Sequence, residues 1–206
     1  MLSFIKKCNT MNDNIILAGV GGQGILSISA VLALGALSRN LFVKQSEVHG
    51  MSQRGGAVLS HIRISDKEIQ SVLIPIGKAN ALISVEPMET LRYLPYLSSE
   101  GQLISSTDPY ESDNYPEFGT ILKELEKIPN RILIDAGKLA IKAGNKKSAN
   151  MVVLGAASHF LNLGEQAILD GMNEFFGPKG ERTIQINMDA YNYGLEAAME
   201  YIQKRK

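Results

Sequence analysis

The chain has 206 residues, 45% of them apolar and 20% charged, which suits one α/β domain with enough material for a full core. Twenty-one basic residues balance twenty-one acidic ones, so the global field that a nucleic-acid binder uses is missing, and no apolar run reaches the ~18–20 residues of a membrane span. Cys8 is the only cysteine, which excludes an intramolecular disulfide, a Cys-x-x-Cys pair and a four-thiolate iron–sulfur site, and points to a reducing, cytoplasmic compartment.

In chain order, Met1 to Cys8 offers too short an apolar stretch and no small-residue cleavage site for a signal peptide. Residues 1–11 read as a loose extension, with Met11 an alternative start, and residues 12–206 as a single domain. Ile15 to Ala18 reads as a buried strand and Ile25 to Leu34 as an Ala/Leu-rich helix. Leu41 to Gln45 is a short strand, followed by a polar, glycine-rich loop from Ser46 to Gly56. Ala57 to Ile64 and Ile69 to Ile74 read as strands around a turn at Ser65 to Glu68, an antiparallel hairpin. A strand at Ala79 to Val85 and a helix at Met88 to Leu97 follow. Next come a strand at Gln102 to Ser105, a loop over Thr107 to Gly119, a helix at Thr120 to Glu126 and a strand at Arg131 to Ile134. Helices then begin at Lys138, span Ala149 to Phe160 and Gly164 to Phe176, and finish with a long one from Asn187 to Lys204 after the break at Gly177 to Gly180. Strands separated by helices predict an α/β fold, an open, mostly parallel Rossmann-like sheet with helices on both faces.

Between the first strand and the first helix stands Gly19-Val20-Gly21-Gly22-Gln23-Gly24. Strand, Gly-x-Gly-x-x-Gly turn and helix form an anion cradle, because bare backbone lets a phosphate or carboxylate reach the unpaired N–H groups of the helix's first turn. The cofactor-binding candidates are Gly19, Gly21, Gly22, Gln23 and Gly24. A dinucleotide site should add an acid about 20 residues on, at the end of the second strand. Here that strand ends Val43-Lys44-Gln45, which weakens an NAD reading, and the alternative that the glycines serve only tight helix–strand packing stays open.

A second constellation is Ser46-Glu47-Val48-His49-Gly50-Met51-Ser52-Gln53-Arg54-Gly55-Gly56. Glu47, His49 and Arg54 could present an acid, an imidazole and a guanidinium to one crevice at the ligand edge of the sheet, and they are the catalytic candidates. The competing reading is that they tie the loop down or meet another subunit.

Together the two motifs resemble the gamma-type domain of the 2-oxoacid:ferredoxin oxidoreductases, in the wording of the indolepyruvate:ferredoxin oxidoreductase beta subunit. Gly77-Lys78-Ala79-Asn80-Ala81, Glu86-Pro87 and Asn150-Met151-Val152-Val153-Leu154-Gly155 are also similar to the family, so the likeness spans about residues 12 to 200. The pyruvate and 2-oxoglutarate branches tend to carry a Tyr-Gly-Pro-Glu type segment before the arginine, where this chain has Glu47 to Gln53. The resemblance implies a subunit, inactive alone, of an enzyme that oxidatively decarboxylates indolepyruvate or another aryl pyruvate. It implies thiamine pyrophosphate and iron–sulfur clusters on a larger alpha partner, ferredoxin reached through that partner, and coenzyme A as co-substrate. The alternatives are a pyruvate/ketoisovalerate or 2-oxoglutarate branch, or a free-standing nucleotide-binding module.

Other residues read as structural. His61 falls on the less buried face of its strand, His159 ends an apolar helix, and the three histidines have no metal-ligand spacing. No nucleophile-elbow pattern surrounds Ser158 or any other serine. Asp135 suits a helix cap, and Met172, Phe175 and Phe176 keep helical core spacing.

Overall fold

The computed structural model describes residues 11–50, 55–110 and 115–205. Six strands form one sheet in the order β2-β3-β1-β4-β5-β6. They are β1 (Asn12–Val20), β2 (Phe42–His49), β3 (Ala57–Ser65), β4 (Ala79–Ser84), β5 (Leu97–Ser106) and β6 (Arg131–Ile134). The pairs β1/β4, β4/β5 and β5/β6 are parallel, while β3 runs antiparallel to both β1 and β2. The helices are α1 (Ile25–Ser38), α2 (Pro87–Tyr93), α3 (Phe118–Glu126), α4 (Ala136–Lys142), α5 (Ala149–Ser158), α6 (Glu165–Phe176) and α7 (Glu181–Lys204).

From Ile15 to Val20 the central strand β1 is apolar because both its faces are covered. Ile15 and Leu17 join the core under α1, α4, α5, α6 and α7, and Ile16 and Ala18 join a smaller core under α2 and α3. Helices on both faces of a mostly parallel sheet are as expected, and Met172 and Phe176 are buried in the larger core as their spacing predicts.

The hairpin is elsewhere than predicted. Ser46 to His49 continues β2 in full register with His61 to Val58, so the antiparallel pair is β2/β3 and the connection between them starts only at Gly50. Ile69 to Ile74 forms no strand, because β3 is already bonded to β2 on one side and β1 on the other and has no free edge to offer. That segment lies irregularly over the sheet. The Ile74 N–H donates to His61 Nδ1 at 3.1 Å and Arg63 donates to the Ser71 carbonyl at 2.8 Å. His61 is therefore buried, 4% exposed, rather than on an open face.

Three other boundaries move. The helix predicted to run to Leu97 stops at Tyr93, a 3-10 turn through Pro95 follows, and β5 starts at Leu97, five residues early. The helix predicted from Thr120 starts at Phe118, inside the expected loop. The last helix begins at Glu181 behind Gly180, which has φ 93° and supplies no side-chain cap that could have marked the start.

At the end of the sheet away from the strand C-termini, Asp13 is fully buried and accepts four hydrogen bonds: from Asn80 Nδ2, Asn162 N, Asn162 Nδ2 and Leu163 N, at 2.9–3.1 Å. One carboxylate thus ties β1, β4 and the α5–α6 connection together.

Candidate functional site

The parallel strands β1, β4, β5 and β6 all end on one edge of the sheet. From β1 the chain leaves through α1 toward β2; from β4 it leaves through α2 toward β5, on the opposite face. The connections diverge between β1 and β4, and such a switch point opens a crevice beyond the strand ends.

The glycine turn lies there, and its glycines have different jobs. A Cβ on Gly19 would stand 2.6 Å from Val85 Cγ2, and one on Gly24 2.4 Å from Asn150 Nδ2, which donates to the Gly24 carbonyl at 3.0 Å. Those two glycines serve close packing, which is one half of the sequence reading. Gly21 donates its N–H to the Gly56 carbonyl at 2.9 Å, and Gln23 folds back so that its Oε1 accepts the Val20 N–H at 2.8 Å. Gly22 differs: at φ 99° it faces open space, with nothing within 4 Å of where a side chain would begin. Behind it the first turn of α1 carries no acidic residue, so its unpaired N–H groups and the helix dipole are left uncompensated.

Two depressions flank the turn. One, of about 360 Å³, is lined by Gly21, Gly22, Gly24, Leu26, Glu47 and His49. It brings the glycine motif and two of the catalytic candidates to one place. His49 Nε2 lies 2.8 Å from Glu47 Oε1 but off the hydrogen-bond line, so that buried oxygen has no aligned donor among the described residues. The Glu47 side chain is 10% exposed, and burial raises its pKa above the usual carboxylate range despite the opposing pull of His49. Arg54, the third candidate, lies outside the described residues.

The other depression, of about 440 Å³, is lined by Gly22, Gln23, Val85, Asp108, Tyr110, Lys146 and Lys147 among others. Its charge balance is the reverse of the first. Lys146 and Lys147 line it from the 3-10 turn ahead of α5, whereas the Asp108 carboxylate is packed against Gly137 in the first turn of α4. An anion approaching the open face of Gly22 therefore meets two lysines and one carboxylate on this side, and a carboxylate with no lysine or arginine on the other. The sequence reading missed Lys146 and Lys147 because two adjacent lysines in a polar turn look like solvated surface, and only the fold carries them to the glycine turn.

The remaining candidates are structural. Asp135 accepts the Lys138 N–H at 2.9 Å and caps α4. Ser158 donates to the Gly155 carbonyl, and His159 is exposed and packs edge-on against Phe160. Among the described residues no cluster of histidine, cysteine and acidic side chains could hold a metal ion, and no helix is long and apolar enough to cross a membrane.

The fold and its sequence have relatives. Residues 14–197 match the family model described as pyruvate ferredoxin/flavodoxin oxidoreductase. Indolepyruvate oxidoreductase subunit IorB of Methanothermobacter thermautotrophicus is 36% identical over 92% of this chain and 100% of its own length. The 2-oxoglutarate synthase subunit KorC of Methanocaldococcus jannaschii is 32% identical over 95% of this chain and 98% of its own length. Among solved structures, the gamma subunit of a keto/oxoacid ferredoxin oxidoreductase from Geobacter sulfurreducens superposes with a TM-score of 0.67 at 23% identity, covering 91% of this chain and 99% of that one. A 2-oxoglutarate:ferredoxin oxidoreductase from Magnetococcus marinus, with 2-oxoglutarate, coenzyme A and succinyl-CoA bound, superposes with a TM-score of 0.72 at 21% identity. That match covers 92% of this chain but only 31% of the longer one. The chain is homologous to the IorB subunits along nearly their full length and, with the family model spanning residues 14–197, it belongs to the pyruvate ferredoxin/flavodoxin oxidoreductase family.

Proposed function

We propose that this chain is the smaller, non-cofactor-bearing subunit of an indolepyruvate-type 2-oxoacid:ferredoxin oxidoreductase, inactive alone, with residues 12–206 acting as one gamma-type domain. Its task is to help hold coenzyme A for a larger partner. The observation that carries this is the crevice that brings Lys146 and Lys147 to the open face of Gly22, in the turn that leads into α1. Such a site suits the phosphates of a coenzyme, and the related Magnetococcus enzyme has coenzyme A bound. Lysines at a phosphate act as point charges, each worth enough to tighten binding roughly ten-fold or more.

With one cysteine in 206 residues and no Gly-Asp-Gly segment, the chain lacks the donors for a cluster and the signature of a thiamine site. Thiamine pyrophosphate, which supplies the decarboxylation chemistry, and the clusters that pass electrons to ferredoxin are assigned to the partner. The indolepyruvate branch is preferred over the 2-oxoglutarate branch because identity is 36% against 32%, and because Glu47 to Gln53 carries the indolepyruvate wording.

The test is a reconstituted complex assayed for coenzyme-A-dependent oxidation of indolepyruvate, with pyruvate and 2-oxoglutarate as competitors. Lys146→Ala/Lys147→Ala should raise KM for coenzyme A about ten-fold or more and leave KM for the oxoacid unchanged. Tight binding of NAD or NADP by the lone chain would instead identify a free-standing nucleotide-binding module.

A further inference from the structure

The crevice has an aromatic wall held by a buried acid. Glu86 is 0% exposed at the C-terminal end of β4, where it caps α2 by accepting the Glu89 N–H at 2.8 Å. Its other oxygen accepts the Tyr115 hydroxyl and, at 3.4 Å, the Tyr110 N–H. Among the described residues no lysine or arginine pairs with it, so this carboxylate is held by neutral donors alone. Burial and the bond to Glu86 raise the Tyr115 pKa, which keeps that hydroxyl protonated and donating.

A helix cap needs only one oxygen of Glu86. The second is spent on the loop after β5, and that loop carries Tyr110 into the crevice. Tyr110 is 42% exposed, and its hydroxyl reaches across to within 3.8 Å of where a Cβ on Gly55 would stand, beside the end of the β2–β3 connection. The bond to the buried carboxylate restrains the backbone that bears this side chain, so less freedom is lost when a flat partner stacks on the ring. Val85, Pro109 and Ala149 give the same lining its apolar part, and Ser106, Asp108 and the two lysines its polar part.

Resting on the reading of this crevice as a coenzyme site, we infer that Tyr110 is the platform for the heteroaromatic ring of an adenine nucleotide whose phosphates lie on Lys146 and Lys147. Glu86 is the positioning residue that holds the platform. The ligand class is a purine linked to phosphate, because one crevice of about 440 Å³ is lined by both an exposed tyrosine and two lysines.

The experiment titrates the full chain by calorimetry with two probes, adenosine 3′,5′-bisphosphate and inorganic pyrophosphate. Wild type should bind the bisphosphate more tightly than pyrophosphate. Tyr110→Ala should weaken the bisphosphate about ten-fold or more and leave pyrophosphate unchanged, while Tyr110→Phe retains both. Glu86→Ala should reproduce the Tyr110→Ala pattern, and Glu86→Gln, which keeps one accepting oxygen where Glu86 uses two, should give a smaller loss. If Glu86→Ala does not fold, Glu86→Gln carries the test, and Tyr115→Phe, which leaves the Tyr110 N–H tie to Glu86 in place, should bind both probes as wild type does. Unchanged bisphosphate affinity in Tyr110→Ala, or wild type that prefers neither probe, overturns the inference and leaves the phosphate site standing. Wild type that binds neither probe overturns the coenzyme site itself.

Discussion

Burial decides what His61 can do. Its Nδ1 accepts the Ile74 N–H, which puts the neutral ring's proton on Nε2, and its ring meets Tyr96 edge-on at 5.3 Å between centroids. Desolvation lowers its pKa below the ordinary 6.5. The unfolded chain then takes up a proton at a higher pH than the folded one does. Stability from this residue is fully present above about pH 6.5 and is lost as pH falls from there toward the folded value. Denaturant melts at pH 7.5, 6.5 and 5.5 should show the decline, and His61→Gln should flatten it. Glu47 has the opposite sense: its raised pKa means that the ionised form weakens the fold as pH rises above the ordinary carboxylate value. The glycine turn offers a second contrast. Gly22→Ala meets open space and costs only the left-handed backbone term, roughly 1–2 kcal/mol. Gly24→Ala has the same strain at φ 81° and also drives into Asn150, so its melting temperature should fall further. Sequence alone marked the whole motif, but six residues written in a row do not tell which glycine faces a ligand and which a neighbouring side chain.

Helix pairs are locked by reciprocal glycines. In α5 against α7, a Cβ on Gly155 would stand 1.9 Å from the Tyr191 carbonyl oxygen, and one on Gly194 1.9 Å from that of Val152. In α1 against α6, the same relation links Gly35 to the Ala167 carbonyl at 2.3 Å and Gly171 to that of Val31 at 2.1 Å. Backbone cannot yield as a side-chain tip does, so Gly155→Ala or Gly194→Ala should destabilise by about 3 kcal/mol or more, at the top of the overpacking range. Chemical denaturation checks this, and loss of less than about 1 kcal/mol would mean that the pair can separate. Helices of this kind were legible from their apolar spacing, but their mates were not, because a glycine in a helix reads locally as a weakness. The same limit explains the strand errors. Ser46 to His49 looks like a loop by composition, yet an edge strand open to solvent needs only a partner ladder and no apolar face. Ile69 to Ile74 has the composition of a strand and no free edge to join.

Across the whole molecule, the glycine-turn edge and the Asp13 clamp lie at opposite ends of the sheet. Asp13→Ala would leave four donors without their acceptor, and stability should fall by about 3 kcal/mol or more while coenzyme affinity stays unchanged. Coenzyme A at one hundred times its Kd should stabilise the fold by about 2.7 kcal/mol, which for a chain of this size is on the order of 5–10 °C in a thermal melt. No shift at saturation would remove the crevice as its site. The sequence by itself determined the α/β class, the family through two glycine-bearing motifs, and the lack of thiolates for a cluster, because composition and short motifs are local properties of the chain. Only the tertiary structure decided that β3 stands between β1 and β2, that Glu47 lies on one side of the glycine turn and Lys146 and Lys147 on the other, and that Glu86 reaches Tyr110. Several of those relations join residues far apart in the chain, 24 positions for Glu86 and Tyr110. They follow from which strand edges were free and which faces had to be covered, conditions that exist only once the sheet has formed.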